Sequence, residues 1–391
     1  MSGSAEGGKV PRIEVDLRAV RANVSALRER LGGRLLVVVK ADAYGHGAVP
    51  VARAALAAGA EQLGVVDLQE ALELREAGVE APIVAWLHGP HTRWRRAFEA
   101  GVELGVSSLE QLALVAEAAQ AHRAAGGAAP VLHLKVDTGL GRGGAPRADW
   151  PALFGAAADL ERAGTARVSG LLSHFSGTSE ACDREQLERF GEACRLARAA
   201  GLRTGVRHLG ASAAALGPLA LGDDMARIGI AAYGLSPFAD GRPPGVELRP
   251  ALRLLAPLVA ITDRAGVGRC AIELGTADGL PPLEDGSGLL LRDERGGRWR
   301  IAAQWETHTI VQPADDAAVR ALPEIRRGRG PELVVIGSGG REPGADEWAR
   351  AADTINYEIV TRLSSRIDRE YLGAGEDPAP PTGPLRRARR P

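Results

Sequence analysis

The stretch Leu35-Leu36-Val37-Val38-Val39-Lys40-Ala41-Asp42-Ala43-Tyr44-Gly45-His46-Gly47 decides how this chain is read. Five apolar residues form a run that suits a buried strand, and the run ends on a lysine. The chain has 48 basic residues, and the only lysines are Lys9, Lys40 and Lys135. Arginine stands almost everywhere else, so a retained lysine points to work that arginine cannot do. A guanidinium keeps its proton in a protein, whereas a lysine amine can act as nucleophile or base once burial or a neighbouring cation lowers its pKa. Lys40 is thereby placed at the carboxyl end of a buried strand, where α/β sheets and barrels keep their chemistry.

Outward from this run, residues 12 to 235 alternate short β-rich segments with amphipathic helical ones. Strands are expected at 13–15, 35–40, 63–66, 82–86, 102–104, 131–136, 168–172 and 207–209. The helix after the first strand carries Leu17, Val20, Val24 and Leu27 at helical spacing. Such alternation implies a parallel sheet, and eight units in about 250 residues is the size of a closed, TIM-like (β/α)8 barrel. An open doubly wound sheet is the alternative. After Pro237 the chain becomes dense in Gly and Pro, with short runs such as 258–261, 289–291 and 309–311 that read as a β domain. A helical segment is expected over 346–367, with Trp348, Ala352, Ile355 and Ile359 on one face. Gly337-Ser338-Gly339-Gly340 lacks the spacing of a nucleotide-binding loop and reads as a turn. The organisation is an α/β chain: an N-terminal extension (1–11), a barrel (12–237), a C-terminal mainly-β domain (238–372) and a Pro-rich, then basic, disordered tail (373–391).

Bulk composition narrows the partners. A formal charge of -1 with interspersed signs argues against nucleic acid and membrane surfaces. Cys182, Cys194 and Cys270 show neither metal-ligand spacing nor a disulfide framework, which suits a reduced cytoplasm. The first eight residues lack the apolar centre of a signal peptide, and no window approaches the roughly 20 apolar residues of a spanning helix.

Five separated segments fit one reading: Lys40 to Gly47 above, Lys135-Val136-Asp137-Thr138-Gly139-Leu140-Gly141-Arg142, Ser173-His174-Phe175, Arg227-Ile228-Gly229-Ile230-Ala231-Ala232-Tyr233-Gly234-Leu235-Ser236-Pro237 and Thr354-Ile355-Asn356-Tyr357-Glu358. In order and spacing they resemble the alanine racemase family, over most of residues 12–372. That family carries pyridoxal 5'-phosphate on a (β/α) barrel followed by a β domain. The resemblance assigns Lys40 to the Schiff base with the cofactor aldehyde and to one catalytic base, which suits the need for a rigidly held primary amine. It assigns the phosphate to the hydroxyls of Tyr44, Ser212 and Tyr357 and the backbone amides of Gly229 and Ile230. Arg227 corresponds to the partner of the pyridine nitrogen; since arginine keeps its proton, that nitrogen stays unprotonated, which favours racemisation over transamination. Arg142 corresponds to the arginine near the 3'-oxygen. Lys135 corresponds to a lysine often carbamylated, though simple pairing with Asp137 is equally compatible with the sequence. His174 matches a histidine beside the pyridine face, against an ordinary structural role. The resemblance also implies an amino-acid substrate and a homodimer in which each β domain completes the partner's site.

The C-terminal part departs from the pattern. The family's second base, a tyrosine on the β domain, has no counterpart: no tyrosine lies between Tyr233 and Tyr357, and the segment that should carry it reads as deleted within the corresponding stretch 264–279. The tyrosine lining the entrance is Thr276, the family's Met-Asp-Gln segment is replaced near Ala303-Gln304-Trp305, and the Asn before Ser212 is Ala211. Cys270, Glu273 and His308 are candidate replacements for the missing base, each against an unexceptional core or surface role. Three functions are therefore weighed: an amino-acid racemase or epimerase; an enzyme using one face only, by elimination, replacement or decarboxylation; and a non-catalytic protein that binds the cofactor.

Overall fold

The computed structural model describes residues 9–375 apart from 204, 220–221, 223, 239, 261–267 and 285–287. Residues 1–8 of the expected extension, 376–391 of the expected tail and 264–267 of the segment read as deleted lie outside the described residues. Eight parallel strands form the barrel sheet: β2 (Arg34–Val38), β3 (Gln62–Val65), β4 (Ile83–Ala85), β5 (Val102–Val106), β6 (Val131–Lys135), β7 (Arg167–Leu172), β8 (Val206–His208) and β9 (Met225–Ile228). Consecutive strands pair in sequence from β2 to β8, and β9 pairs with β2. The gap between β8 and β9 is bridged where the amides of Asp224 and Arg227 donate to the carbonyls of Arg207 and Gly210, both at 3.0 Å. The outcome is a near-closed (β/α)8 barrel, as the strand–helix alternation implied.

Membership of the barrel differs from the expectation in one place. The sequence pattern makes strand β1 (Arg12–Asp16) the first barrel strand, but it lies in a second sheet. That sheet has nine strands in the order β11-β12-β15-β14-β13-β16-β10-β1-β17, the others being β10 (Leu252–Pro257), β11 (Val259–Ala260), β12 (Cys270–Ile272), β13 (Leu290–Asp293), β14 (Arg298–Gln304), β15 (Thr309–Pro313), β16 (Glu332–Ile336) and β17 (Asp368–Leu372). There β1 runs antiparallel to β10 and parallel to β17. Its alternating burial, with Ile13 and Val15 fully buried, is the pattern of a half-covered strand, unlike the almost wholly buried barrel strands. Strand β9 completes the barrel in its stead.

Local signals explain the barrel's units. The helix Leu17–Leu31 starts where the Asp16 carboxylate accepts from the Arg18 amide and stops at Gly32, whose φ of 63 suits glycine. It buries Leu17, Val20, Val24 and Leu27, the predicted face. Asp67, Ser108 and Ser179 likewise cap the helices after β3, β5 and β7. The segment expected to be helical over 346–367 is two short helices, Ala345–Ala351 and Asn356–Thr361. Asp353 between them has φ 49, which an uninterrupted right-handed helix excludes, so Ile355 ends 54% exposed while Trp348 and Ile359 stay buried. Among the described residues no helix is long and apolar enough to cross a membrane.

Candidate active site at the carboxyl mouth of the barrel

Strand β2 ends at Val38, and Lys40 opens a turn of unusual hand. Ala41, Asp42, Ala43 and Tyr44 all have φ between 51 and 56, four consecutive non-glycine residues in the left-handed region. Each such residue costs about 1–2 kcal/mol, so surrounding contacts must hold the turn. Glu70 accepts from the Ala41 amide at 2.7 Å and from the Val66 amide at 2.8 Å. The Asp42 carboxylate accepts from the Ala48 amide at 2.7 Å, and Arg369 donates to the Gly45 carbonyl at 2.9 Å. Fully buried His46 donates from Nδ1 to the carbonyls of Ala43 and Tyr44 at 3.0 and 2.9 Å. Burial pushes its pKa down to about 4, against those carbonyls, so the ring is neutral. A side chain at Gly45 (φ 79) would collide with the carbonyl of Val360, which packs the C-terminal helices onto this turn.

The turn aims Lys40 and Tyr44 into one space. Lys40 Nζ lies 5.3 Å from the ring centre of Tyr357 and 5.9 Å from that of Tyr44. The two tyrosine rings meet edge to face at 4.8 Å. Burial, then the charge of Arg142, lower the Lys40 pKa, with Glu70 opposing, so the free amine is more accessible than in an ordinary lysine. Tyr44 abuts Gly229 so closely that a Cβ at 229 would collide with its hydroxyl, and Ser212 accepts from the Gly229 amide at 3.1 Å. Ile230 follows and opens a single turn, Ile230–Tyr233. Tyr44, Ser212, Gly229, Ile230 and Tyr357, drawn from four separated segments, thus form one neighbourhood beside Lys40.

Arg227, on β9, stands across the mouth. Its guanidinium donates to the carbonyls of Ser173, Leu209 and His208 and lies 3.3 Å from His174 Nδ1. Since arginine only donates, that His174 nitrogen accepts and the ring's proton sits on Nε2. Burial, then the charges of Arg227, Arg142, Lys135 and Lys40, depress the His174 pKa to about 3, leaving the ring neutral. Lys135, buried at the end of β6, has a lowered pKa from burial and from Arg227 and Arg142, with Asp137 opposing. The Asp137 carboxylate accepts from the amides of Gly139 and Gly141, shaping the loop that carries exposed Arg142. Every sequence-predicted barrel residue therefore comes to this mouth. Glu70, Asp42 and His46, which hold the lysine turn, were missed. Glu70 was discoverable as the third residue after the capping Asp67, but nothing in the sequence pointed it at Ala41.

The candidate second bases are dispersed in the β sheet. Cys270 is fully buried on β12 and burial pushes its thiol up to about 11, which removes it as a base near neutrality. Glu273 is exposed, and half-buried His308 stacks on exposed Trp305 at 4.7 Å in the β14–β15 turn. That turn lies against Thr276 and Ala277, whose amides donate to the carbonyls of Trp305 and Glu306.

Fold and site together define a class: a lysine-centred (β/α)8-barrel enzyme with an attached, mostly β domain. Comparison with known proteins narrows it. Residues 15–237 match the model of the alanine racemase N-terminal domain and residues 313–371 that of the C-terminal domain. An alanine racemase of Streptomyces coelicolor is 44% identical, the match covering 92% of this chain and 95% of that protein. One from Frankia casuarinae is 41% identical, over 92% and 95% respectively. Among solved structures, alanine racemase from D-cycloserine-producing Streptomyces lavendulae superposes with a TM-score of 0.84 at 38% identity, covering 95% of this chain and 99% of that one. The chain belongs to the alanine racemase family, a family of isomerases.

Proposed function

We propose that this protein is a pyridoxal 5'-phosphate-dependent amino-acid racemase of the alanine racemase type, working as a cytoplasmic homodimer with alanine as its substrate. The observation that carries this reading is the convergence of a pKa-lowered Lys40 amine with the Tyr44–Ser212–Gly229–Tyr357 cradle on one side and Arg227 on the other. The donor set suits the cofactor: hydroxyls and amides for a phosphate, a primary amine for an aldehyde, and a glycine where a Cβ would fill the cradle. When bound, pyridoxal phosphate supplies an aldehyde for amines and a ring that accommodates the electrons left when a Cα proton departs.

The chain's residues do the rest. Lys40 would hold the cofactor's aldehyde, and its amine, with its lowered pKa, would take or return a Cα proton on its own face. Arg227 would offer N–H donors but no proton to the ring nitrogen, which would leave the ring a weak electron sink. His174, neutral, would stand beside the ring without adding charge. Arg142 reaches the mouth electrostatically, and Lys135, whose lowered pKa favours the free amine that carbamylation needs, is the group that would orient it.

The opposite face requires a second acid or base, and no tyrosine lies between Tyr233 and Tyr357 to supply it. Glu273 and His308, delivered from the partner's β domain, are the remaining candidates from the sequence. The same absence keeps one-face chemistry as the second reading. Incubation with L-alanine in D2O separates them: deuterated D-alanine supports the racemase, and exchange with retained configuration supports the one-face enzyme. Cofactor bound through Lys40 without exchange would leave only a carrier.

A further inference from the structure

The barrel interior, usually filled with branched apolar side chains, holds a continuous polar chain from one mouth to the other. It starts at Glu103, near the amino end of β5, whose Oε2 lies 2.7 Å from His133 Nε2 and accepts from Gln62 Nε2 at 2.6 Å. His133 Nδ1 lies 3.0 Å from His208 Nε2, and His208 Nδ1 lies 3.4 Å from Arg227 Nη1. Gln62, His133, His208 and Arg227 are all at least nine-tenths buried. Buried polar groups are rarely left unpaired, so each link must match a donor with an acceptor.

Only one arrangement of protons does this. The Glu103 carboxylate can only accept, so the His133 proton sits on Nε2 and its Nδ1 accepts. Arg227 can only donate, so His208 Nδ1 accepts and its proton sits on Nε2. The two ends impose the same polarity on the middle link, where His208 donates to His133. Two neutral imidazoles then join a buried cation to a carboxylate. Glu103 in turn sits at a cavity of about 390 Å³ on the amino mouth of the barrel, which Arg34, Arg167 and Arg203 also line.

We propose that Glu103 is a positioning residue, the counter-charge that acts through His133 and His208 to set the orientation and donor strength of Arg227. This rests on the reading of Arg227 as the partner of the cofactor's ring nitrogen, although the proton arrangement itself does not. Part of the guanidinium's positive charge is offset from the far mouth, which makes it a weaker donor than an isolated buried arginine. Replacing Glu103 by glutamine keeps an oxygen that can accept from both His133 and Gln62 but removes the charge.

Two measurements test this on the full chain. Imidazole ¹⁵N–¹H correlation spectra without cofactor at pH 8, assigned with His133→Gln and His208→Gln, are expected to show both rings as Nε2–H tautomers. An Nδ1–H tautomer at either position overturns the relay whether or not any cofactor binds. With ¹⁵N-labelled pyridoxal phosphate bound, Glu103→Gln is expected to move the ring-nitrogen resonance toward its protonated side and to lower kcat by about 10-fold with KM nearly unchanged. Exposed Glu99→Gln should do neither. A folded Glu103→Gln protein with an unmoved resonance and wild-type kcat overturns the positioning role. Failure of the wild-type protein to bind the cofactor would instead sink the proposed function and leave the tautomer result standing.

Discussion

Tyr357→Phe isolates one hydroxyl of the proposed phosphate cradle. The ring remains, so its edge-to-face contact with Tyr44 at 4.8 Å and its place 5.3 Å from Lys40 Nζ are kept. Tyr357 is half-buried on a helix packed against the lysine turn, and the substitution opens no cavity. What is lost is a single donor to a dianion. Hydrogen bonds to charged groups contribute about 1.5–3 kcal/mol, so at about 1.4 kcal/mol per tenfold the dissociation constant for pyridoxal phosphate should rise about 10- to 150-fold. The assay is an absorbance titration of cofactor-free protein, run in parallel with pyridoxal, which has the aldehyde but no phosphate. Pyridoxal should bind wild type and Tyr357→Phe within about twofold of each other, because its capture rests on Lys40 alone. Equal losses for both ligands, or none for either, would refute the assignment of this hydroxyl to the phosphate.

Gly229→Ala pushes a methyl into the Tyr44 hydroxyl; it should cost about 1–3 kcal/mol of stability by overpacking and weaken phosphate capture more than aldehyde capture, and thermal unfolding unchanged from wild type would contradict the contact. Glu332, 1% exposed, accepts from Lys9 and Arg12. Burial raises its pKa, but these hydrogen bonds and charges outweigh it and the folded value falls below the usual 4.5. Its stabilisation is therefore complete above that pH and lost as pH falls through the folded value. Glu332→Gln should flatten the acid limb of stability measured by denaturant unfolding between about pH 3 and 7, and parallel limbs would refute the pairing.

What the sequence made legible was chemistry carried on contiguous segments. Lys40, Tyr44, Arg227 and Gly229 sit in short motifs at strand ends, and their residue types restrict what each can do. Seven of the eight barrel strands, β2 to β8, were legible too, because alternation of strand and helix is a local pattern, while β9 was not read. Partner choice was not. Strand β1 reads like any short β run, and its departure to the second sheet depends on β10 and β17, hundreds of residues away. The break at Asp353 is set by the packing of two short helices rather than by a proline or glycine at that site. The interior relay joins residues 30 and 75 positions apart, so its only local trace was a histidine alternating with leucines on β6. The left-handed turn after β2 escaped for another reason: alanine and aspartate there do not announce positive φ, and the contacts that impose it come from elsewhere.

Borohydride reduction of the full chain mixed with pyridoxal phosphate, followed by peptide mass spectrometry, addresses Lys40 directly. One phosphopyridoxyl group should appear on the peptide that contains Lys40, and none on the Lys40→Arg protein, with Lys9 and Lys135 unmodified in both. An unmodified Lys40 in folded wild-type protein, or equal labelling of all three lysines, would contradict the account.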